Sequence, residues 1–527
     1  METAILLVLS ATTVLSLWPG KRYVRLVSVG AMFVAVLLVA DWLLGHGRWQ
    51  MIPSAFLTIV LLLVSFIRSR RQQDRKVSWP IRLGHGAFGL LAVSFLVGAL
   101  LPPLLFPMFA VPTPTGDYGV GYAEFQLTDT TRLEVMSSDP EDKRELMVSV
   151  WYPSDVPEGA QPLPFLKQPA ALKAVFPQFG SFASTAFSHL EDIPGYSYAQ
   201  TPLSAKKAAF PVLVFNHGMG MFGSANSLML ENLASHGYLV FSLEHTYHAS
   251  VVTFPDGRRS PYKVDWMQGS LPVSIKKMVS DMAAIQYAAD YDAYSTRIAD
   301  LLKGYPVLDQ GISLWVADIA FLLDQLAIAD DGRNPTLERF AGRLDLEKTG
   351  VFGMSFGGAA AGMFCLTENR CKAGINLDGL QLGTAGKIER FALEVPFMLM
   401  NSDRRIEYGQ YLQGERDWRD PPEFGMNDFV FLQANAPAYT MTIAGAAHNN
   451  FTDLAFVSPL GKWAGLHGDV PPETMNKIMN EYALAFFNQH LMDVPSSLLA
   501  GQKSGYPGLM DFKKRQSGMG KDPSLVN

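Results

Sequence analysis

The chain has 527 residues and a mass of 58.0 kDa, too long for one ordinary domain, with a mean hydropathy of +0.11 and only 17% charged residues. A soluble domain carries about 25%, so the shortage excludes a disordered chain and a nucleic-acid binder working through a basic surface, and it argues against a wholly soluble protein. Two cysteines make no disulfide framework, and ten histidines without an H-x-x-x-H or C-x-x-C pattern point to no metal or cofactor.

Charge divides the chain. Residues 1–112 hold ten Lys/Arg and three acids, which leaves 33 basic and 46 acidic residues in 113–527. The asymmetry predicts two environments: a transmembrane region over 1–112 and a catalytic domain over 113–527. Four apolar runs, about 4–18, 24–45, 51–67 and 83–107, fill the first part. Crossing a bilayer takes ~20 apolar residues. The second and fourth runs meet that, the third is at the limit and the first is short. Met1-Glu2-Thr3 lacks the basic start of a secretory signal, so the first run is also read as a membrane helix.

Lys21, Arg22 and Arg25 precede the second run, and six more basic residues lie from Arg68 to Arg82, whereas the loop between has Arg48 against Asp41. By the positive-inside rule the 68–82 loop is cytoplasmic. The expectation is a multi-pass membrane protein with its catalytic domain on the periplasmic or extracellular side. Pro102-Pro103 through Gly116 reads as a helix end and linker.

From about residue 117, strand and helix patterns alternate. Strands are expected at Leu146–Trp151, Pro211–Asn216, Tyr238–Leu243, Gly350–Gly353, Ala373–Leu377, Pro396–Met400 and Ala438–Ile443. Helices are expected at Ser224–His236, Leu314–Ala327, Gly358–Leu366 and Glu473–Leu491. Alternation of this kind predicts a mostly parallel α/β sheet covered by helices on both faces.

Gly353-Met354-Ser355-Phe356-Gly357 is G-x-S-x-G at a strand end and helix start. The turn is too tight for side chains at 353 and 357, and it presents Ser355 as a nucleophile. A serine hydroxyl needs an adjacent base, and the base an orienting acid, in the chain order Ser, acid, His. Of His448, His467 and His490 downstream, His448 follows the last strand in a small-residue loop and is the expected base; His490 is read as a surface residue of the C-terminal helix. Asp378 and Asp403 each end a strand and both remain open for the acid. Backbone N–H groups of Phe356 and of Met219, in Asn216-His217-Gly218-Met219-Gly220, suit an oxyanion hole. His217, His245 and His248 are read as structural or site-edge residues.

The ordered set Phe215-Asn216-His217-Gly218-Met219-Gly220, Leu233-Ala234-Ser235-His236-Gly237-Tyr238, Glu244-His245, Gly353-Met354-Ser355-Phe356-Gly357-Gly358-Ala359, Leu377-Asp378 and His448-Asn449-Asn450-Phe451-Thr452-Asp453 resembles the plasma-type (class II) platelet-activating-factor acetylhydrolases, α/β hydrolases of the lipoprotein-associated phospholipase A2 kind. The resemblance covers most of 117–490 and includes Val148–Ser154. It implies Ser355 as nucleophile, Asp378 as acid with Asp403 in reserve, His448 as base, and Met219 and Phe356 as oxyanion donors. It also implies calcium-independent hydrolysis of a short or oxidised acyl ester at the sn-2 position of a phospholipid.

Two departures stand out: Met354 replaces the family's usual His before the nucleophile, and the animal secreted enzymes lack the membrane runs. The alternatives are a general carboxylesterase or polyester hydrolase, a membrane acyltransferase sharing the acyl-enzyme, and a non-enzymatic module. The aromatic segment Leu163–Leu190 (Phe165, Phe176, Phe179, Phe182, Phe187) reads either as a lipid-facing cap or as ordinary packing, and the insert Asp265–Val307 as a lid or sheet cover. Cys365 and Cys371, six residues apart across a helix end, are expected as two buried free thiols.

Overall fold

The computed structural model describes residues 1–18, 20–45, 47–70, 79–176, 180, 185–263, 275–381, 392–403, 425, 427–500, 506 and 509–516. The chain forms two compact units. One holds Met1–Phe109 together with 185–193 and Val457–Leu460; the other holds the remainder.

The first unit packs four helices: α1 (Glu2–Ser16), α2 (Lys21–Leu43), α3 (Ile52–Arg70) and α4 (Trp79–Leu105). Apolar residues repeat all round them, so helix contacts depend on shape and on a few polar groups. Gly30 of α2 is one such contact, since a Cβ there would lie 2.4 Å from Thr12 Oγ1 on α1. Arg48 pairs with both carboxylate oxygens of Glu2, and Ser54 Oγ donates to the Ala99 carbonyl at 3.2 Å.

The extra segments join this unit through Gln50, whose amide meets His189 Nδ1 at 2.9 Å, and through Ser458, which donates to the Leu105 carbonyl. Leu7, Val29, Val36, Val39, Leu63 and Leu90 stay exposed on the outside. Lys21–Leu43, Trp49–Arg70 and Phe88–Leu105 are long and apolar enough to cross a membrane, whereas α1 has 15 residues. At 1.5 Å per residue α1 reaches about 22 Å.

The second unit is built on a ten-stranded sheet. Its strands are β1 (Gly119–Leu133), β2 (Lys143–Ser154), β3 (Ser197–Ala199), β4 (Phe210–Asn216), β5 (Leu239–Glu244), β8 (Leu344–Met354), β9 (Ala373–Leu377), β10 (Phe397–Ser402), β11 (Ala438–Ile443) and β12 (Leu509–Arg515); β6 (Val251–Thr253) and β7 (Arg259–Pro261) form a separate hairpin. The order is β12-β11-β10-β9-β8-β4-β5-β2-β1-β3. From β5 to β11 all neighbours are parallel, and β2 and β12 pair antiparallel at the two ends of that block.

The central strands read as continuous apolar runs because both faces are covered. Val212, Val214, Phe241 and Val351 face one core, and Leu213, Phe215, Val240 and Phe352 the other. The Pro472–Leu491 helix packs into the second core through Ile478, Phe486 and Phe487.

Helices Ile275–Ile285 and Tyr291–Gly304 send Ile285, Tyr294, Ile298 and Leu301 into the first core, so the described part of the 265–307 insert covers the sheet. Of the aromatic segment, Phe165 and Phe187 are buried, and Phe187 packs edge-on to Phe106 within the helical unit; Phe179 and Phe182 lie outside the described residues. The apolar Pro306–Asp330 helix is also of membrane-crossing length, yet Trp315, Ile319, Leu322 and Leu326 seat it in the first core.

The expectation of free thiols is corrected. Cys365 and Cys371 form a disulfide with Cα atoms 5.0 Å apart. The helix carrying Cys365 ends at Thr367, and the chain reverses over 368–371 instead of continuing away, which brings the second cysteine back within bridging distance. His490 is likewise not a free surface side chain: it is half-buried against Phe486, and its Nε2 lies 3.1 Å from the Tyr439 hydroxyl.

Candidate active site

Strand β8 runs into a turn at Ser355 and then into the Phe356–Thr367 helix. Ser355 sits at φ 57° and ψ −122°, a conformation costly for a residue with a side chain. Close backbone approaches hold it there. A Cβ at Gly357 would lie 2.2 Å from the Asn216 carbonyl, one at Gly353 would lie 2.4 Å from Gly357, and one at Gly379 would lie 2.0 Å from the Ser355 carbonyl. The Ser355 N–H donates to the Leu377 carbonyl at 2.8 Å, tying the turn to the end of β9.

Strand ends bring three predicted side chains together. His448 Nε2 is 2.8 Å from Ser355 Oγ, and His448 Nδ1 is 2.7 Å from Asp378 Oδ2. Asp378 is fully buried, at φ 58° just past β9, and its Oδ1 accepts the Ser402 N–H at 2.7 Å. The Asp378 carboxylate is thereby aimed from two sides. His448 keeps 27% of its side chain exposed, enough to exchange protons with water. Asp403 lies one strand further on, buried, with its N–H on the Ala446 carbonyl at 2.7 Å, while the His448 Nδ1 position is taken by Asp378. Met354 is buried next to the turn.

The loop after β4 lies against the serine: a Cβ on Gly218 would be 3.3 Å from Ser355 Cβ. Residues following His448 brace that loop's continuation. Asp453 Oδ2 accepts from Ser227 Oγ and the Leu228 N–H, both at 3.0 Å, capping the Ser227–Ser235 helix, and Asn226 Nδ2 donates to the Phe451 carbonyl at 2.6 Å. Burial pushes the Asp453 carboxyl up to about 7. Glu244 also rises to about 7 by burial, although Gln168 and the Gly223 N–H bond its Oε1.

Beneath the loop lies a buried charged cluster that the sequence reading missed. Asp318, on the Pro306–Asp330 helix, accepts from Arg144 at 2.6 and 3.1 Å and from His245 Nδ1 at 2.9 Å, and Arg132 is 2.9 Å away. Burial alone would raise the Asp318 carboxyl, but Arg144 and His245 outweigh it and hold it well below the carboxylate range. Trp315 stacks on His245 at 3.8 Å and donates its indole N–H to His248 Nδ1. One signal was available: a lone acid inside the apolar stretch Trp315–Phe321.

Comparison with known proteins gives this geometry a family. The profile described as "Platelet-activating factor acetylhydrolase, isoform II" matches residues 106–277 and 324–496. The chain belongs to that family. The chain is 25% identical over 294 residues to a platelet-activating factor acetylhydrolase of Cavia porcellus, covering 54% of this chain and 58% of that relative. It thus spans little more than half of that relative's length. It is 24% identical over 396 residues to the acetylhydrolase of Gallus gallus, covering 73% and 84% of the two chains. A probable 1-alkyl-2-acetylglycerophosphocholine esterase of Arthroderma benhamiae is 23% identical over 425 residues, covering 76% and 92%. Among solved structures, a ferulic acid esterase from Streptomyces cinnamoneus shares the fold, with a TM-score of 0.56 and 23% identity over 76% of this chain and 99% of that one.

Proposed function

We propose that this acetylhydrolase-family chain is a membrane-anchored serine esterase that cleaves short or oxidised acyl esters at the sn-2 position of phospholipids. The observation that carries the reading is the continuous hydrogen-bond chain Ser355–His448–Asp378, at 2.8 and 2.7 Å, on a strained turn that exposes the serine. Ser355 Oγ attacks the ester carbonyl while His448 Nε2 takes its proton, and Asp378 fixes the Nδ1–H tautomer and stabilises the imidazolium. The Met219 and Phe356 N–H groups receive the oxyanion; losing one such donor costs ~2.7–4 kcal/mol of transition-state stabilisation. His448 then returns the proton to the leaving alcohol and activates water against the acyl-enzyme.

Three long apolar helices with outward-facing apolar side chains support the membrane anchor, with residues 1–112 as the membrane region and 113–527 as the catalytic domain. Charge placement supports an outer location for the catalytic domain, and so does the Cys365–Cys371 bridge, a bond that persists in oxidising compartments.

The test is a substrate panel on detergent-solubilised wild type and Ser355→Ala: p-nitrophenyl acetate, short- and long-chain sn-2 phospholipids, each with and without an acceptor alcohol. Preference for short sn-2 chains, abolished in Ser355→Ala, is expected. Equal turnover of every ester would replace the phospholipid reading with a general carboxylesterase, and acyl transfer to the alcohol would replace hydrolysis. A reporter fused at residue 527 that is active only in the cytoplasm would overturn the orientation.

A further inference from the structure

The hydrolase reading leaves His217 unused, although it is fully buried beside the nucleophile loop. Its ring contacts decide its tautomer. The His245 backbone N–H donates to His217 Nε2 at 3.2 Å, so Nε2 carries a lone pair and not a proton. Nδ1 lies 2.7 Å from the Gly218 carbonyl oxygen, which can only accept, so Nδ1 carries the hydrogen. Burial, with the neighbouring His245, lowers the ring to about 3, and it stays neutral over the working pH range. Trp315 at 5.1 Å and His245 at 5.4 Å pack edge-on against it and prevent rotation.

The consequence runs through one peptide. A trans peptide is planar, and its C=O and N–H point in opposite directions. The Gly218 carbonyl is drawn to the buried side by His217 Nδ1–H and by the Met221 N–H at 3.0 Å. The N–H of that same peptide belongs to Met219, and it is thereby turned the other way. Gly218 itself abuts Ser355, with its Cβ position 3.3 Å from Ser355 Cβ.

We infer that His217 is a positioning residue for the oxyanion hole: its Nδ1–H holds the Gly218–Met219 peptide in the one orientation that offers the Met219 N–H to the substrate oxyanion. This rests on the serine-hydrolase reading, and the experiment separates the two. Asn places an amide N–H where His217 has Nδ1–H but has nothing at Nε2; Gln places an acceptor near Nε2 but no donor near Nδ1.

His217→Asn is expected to melt at a lower temperature, because the His245 N–H loses its acceptor, yet to keep kcat within about 10-fold of wild type. His217→Gln is expected to lose at least about 10²-fold in kcat, the scale of one oxyanion donor, with KM changed less than about threefold. Its affinity for a trifluoromethyl ketone, whose enzyme adduct carries the oxyanion, should fall in parallel with kcat/KM. Equal activity in the two variants, or greater activity in His217→Gln, would overturn the inference in favour of a structural role.

A readout that needs no folded variant is the ring 15N spectrum of wild type labelled at histidine. His217 should show the Nδ1–H tautomer from pH 5 to 8, and the Nε2–H form would equally overturn the inference. A wild type that hydrolyses no ester would sink the hydrolase reading and this inference with it, whereas the variant pair or an Nε2–H tautomer in an active wild type would sink this inference alone.

Discussion

Asp378→Asn isolates what the buried acid contributes. Asp378 Oδ1 accepts the Ser402 N–H at 2.7 Å, and Oδ2 faces His448 Nδ1 at 2.7 Å. An asparagine in this pocket must keep its oxygen toward the Ser402 N–H, because turning its NH₂ that way would set two donors against each other. Its NH₂ then faces His448 Nδ1 and forces that nitrogen to accept. The imidazole proton moves to Nε2, where it points at Ser355 Oγ and can no longer take the hydroxyl proton. Geometry is conserved and the tautomer is wrong.

In triads where this exchange leaves the geometry intact, kcat falls by about 10⁴, and at 1.36 kcal/mol per tenfold that is about 5.4 kcal/mol of barrier. The assay is steady-state hydrolysis of p-nitrophenyl acetate, with thermal melting to show that the variant is folded. Asp403→Asn serves as the comparison and is expected to stay within about 10-fold of wild type. A folded Asp378→Asn with kcat within 10-fold of wild type, beside a crippled Asp403→Asn, would refute the assignment and transfer the role to the reserve acid.

Three further outcomes follow from the packing. Gly357→Ala sets a Cβ 2.2 Å from the Asn216 carbonyl, so the turn must shift; a loss of fluorophosphonate labelling at Ser355 and a lower melting temperature are expected, and normal labelling would count against the tight-turn account. The Glu244 carboxyl, raised to about 7 in the folded chain, binds a proton that the unfolded chain releases near the ordinary value of 4.5. Its contribution is therefore complete below that value and is lost as pH rises through about 7. Glu244→Gln, which mimics the protonated acid, should flatten the decline in melting temperature between pH 5 and 8, and an unchanged slope would exclude Glu244 as its source. Finally, alkylation and intact-mass measurement under denaturing conditions should find no reactive thiol before reduction and two after it; reduction should destabilise the fold by about 2 kcal/mol, as expected for a short closed loop.

What could be read from the sequence was set by local chemistry. Gly353 and Gly357 flank Ser355 because the turn admits no side chain, and such a constraint leaves a motif. The strands at Ala373–Leu377 and Ala438–Ile443 were legible to the residue because buried strands of this kind stay short and carry no charged residue. β1 and β12 were not. The polar stretch Thr128–Arg132 and the lysines 513 and 514 suit strands near or at the sheet's margins, where charge is tolerated and apolar pattern fades.

The Asp318 cluster was hidden for a different reason. Asp318 and Arg144 are 174 residues apart, and only the fold makes them partners. The disulfide depended on where one helix stops. The competition between Asp378 and Asp403 could not be decided by pattern, since both end strands; a side-chain direction separates them.

The helical unit is assembled from three separate stretches of chain, Met1–Phe109 and the two short segments that include 185–193 and Val457–Leu460. The border between the two units therefore cannot be drawn as a single cut in the gene. A truncation beginning at residue 113 would retain Phe187, Leu190, Ile193 and Val457, all buried in the intact protein, without the four helices of their unit. Such a fragment would be adhesive, needing detergent or a partner despite having shed every long N-terminal helix. A soluble version calls for resurfacing at those two internal segments as well as deletion.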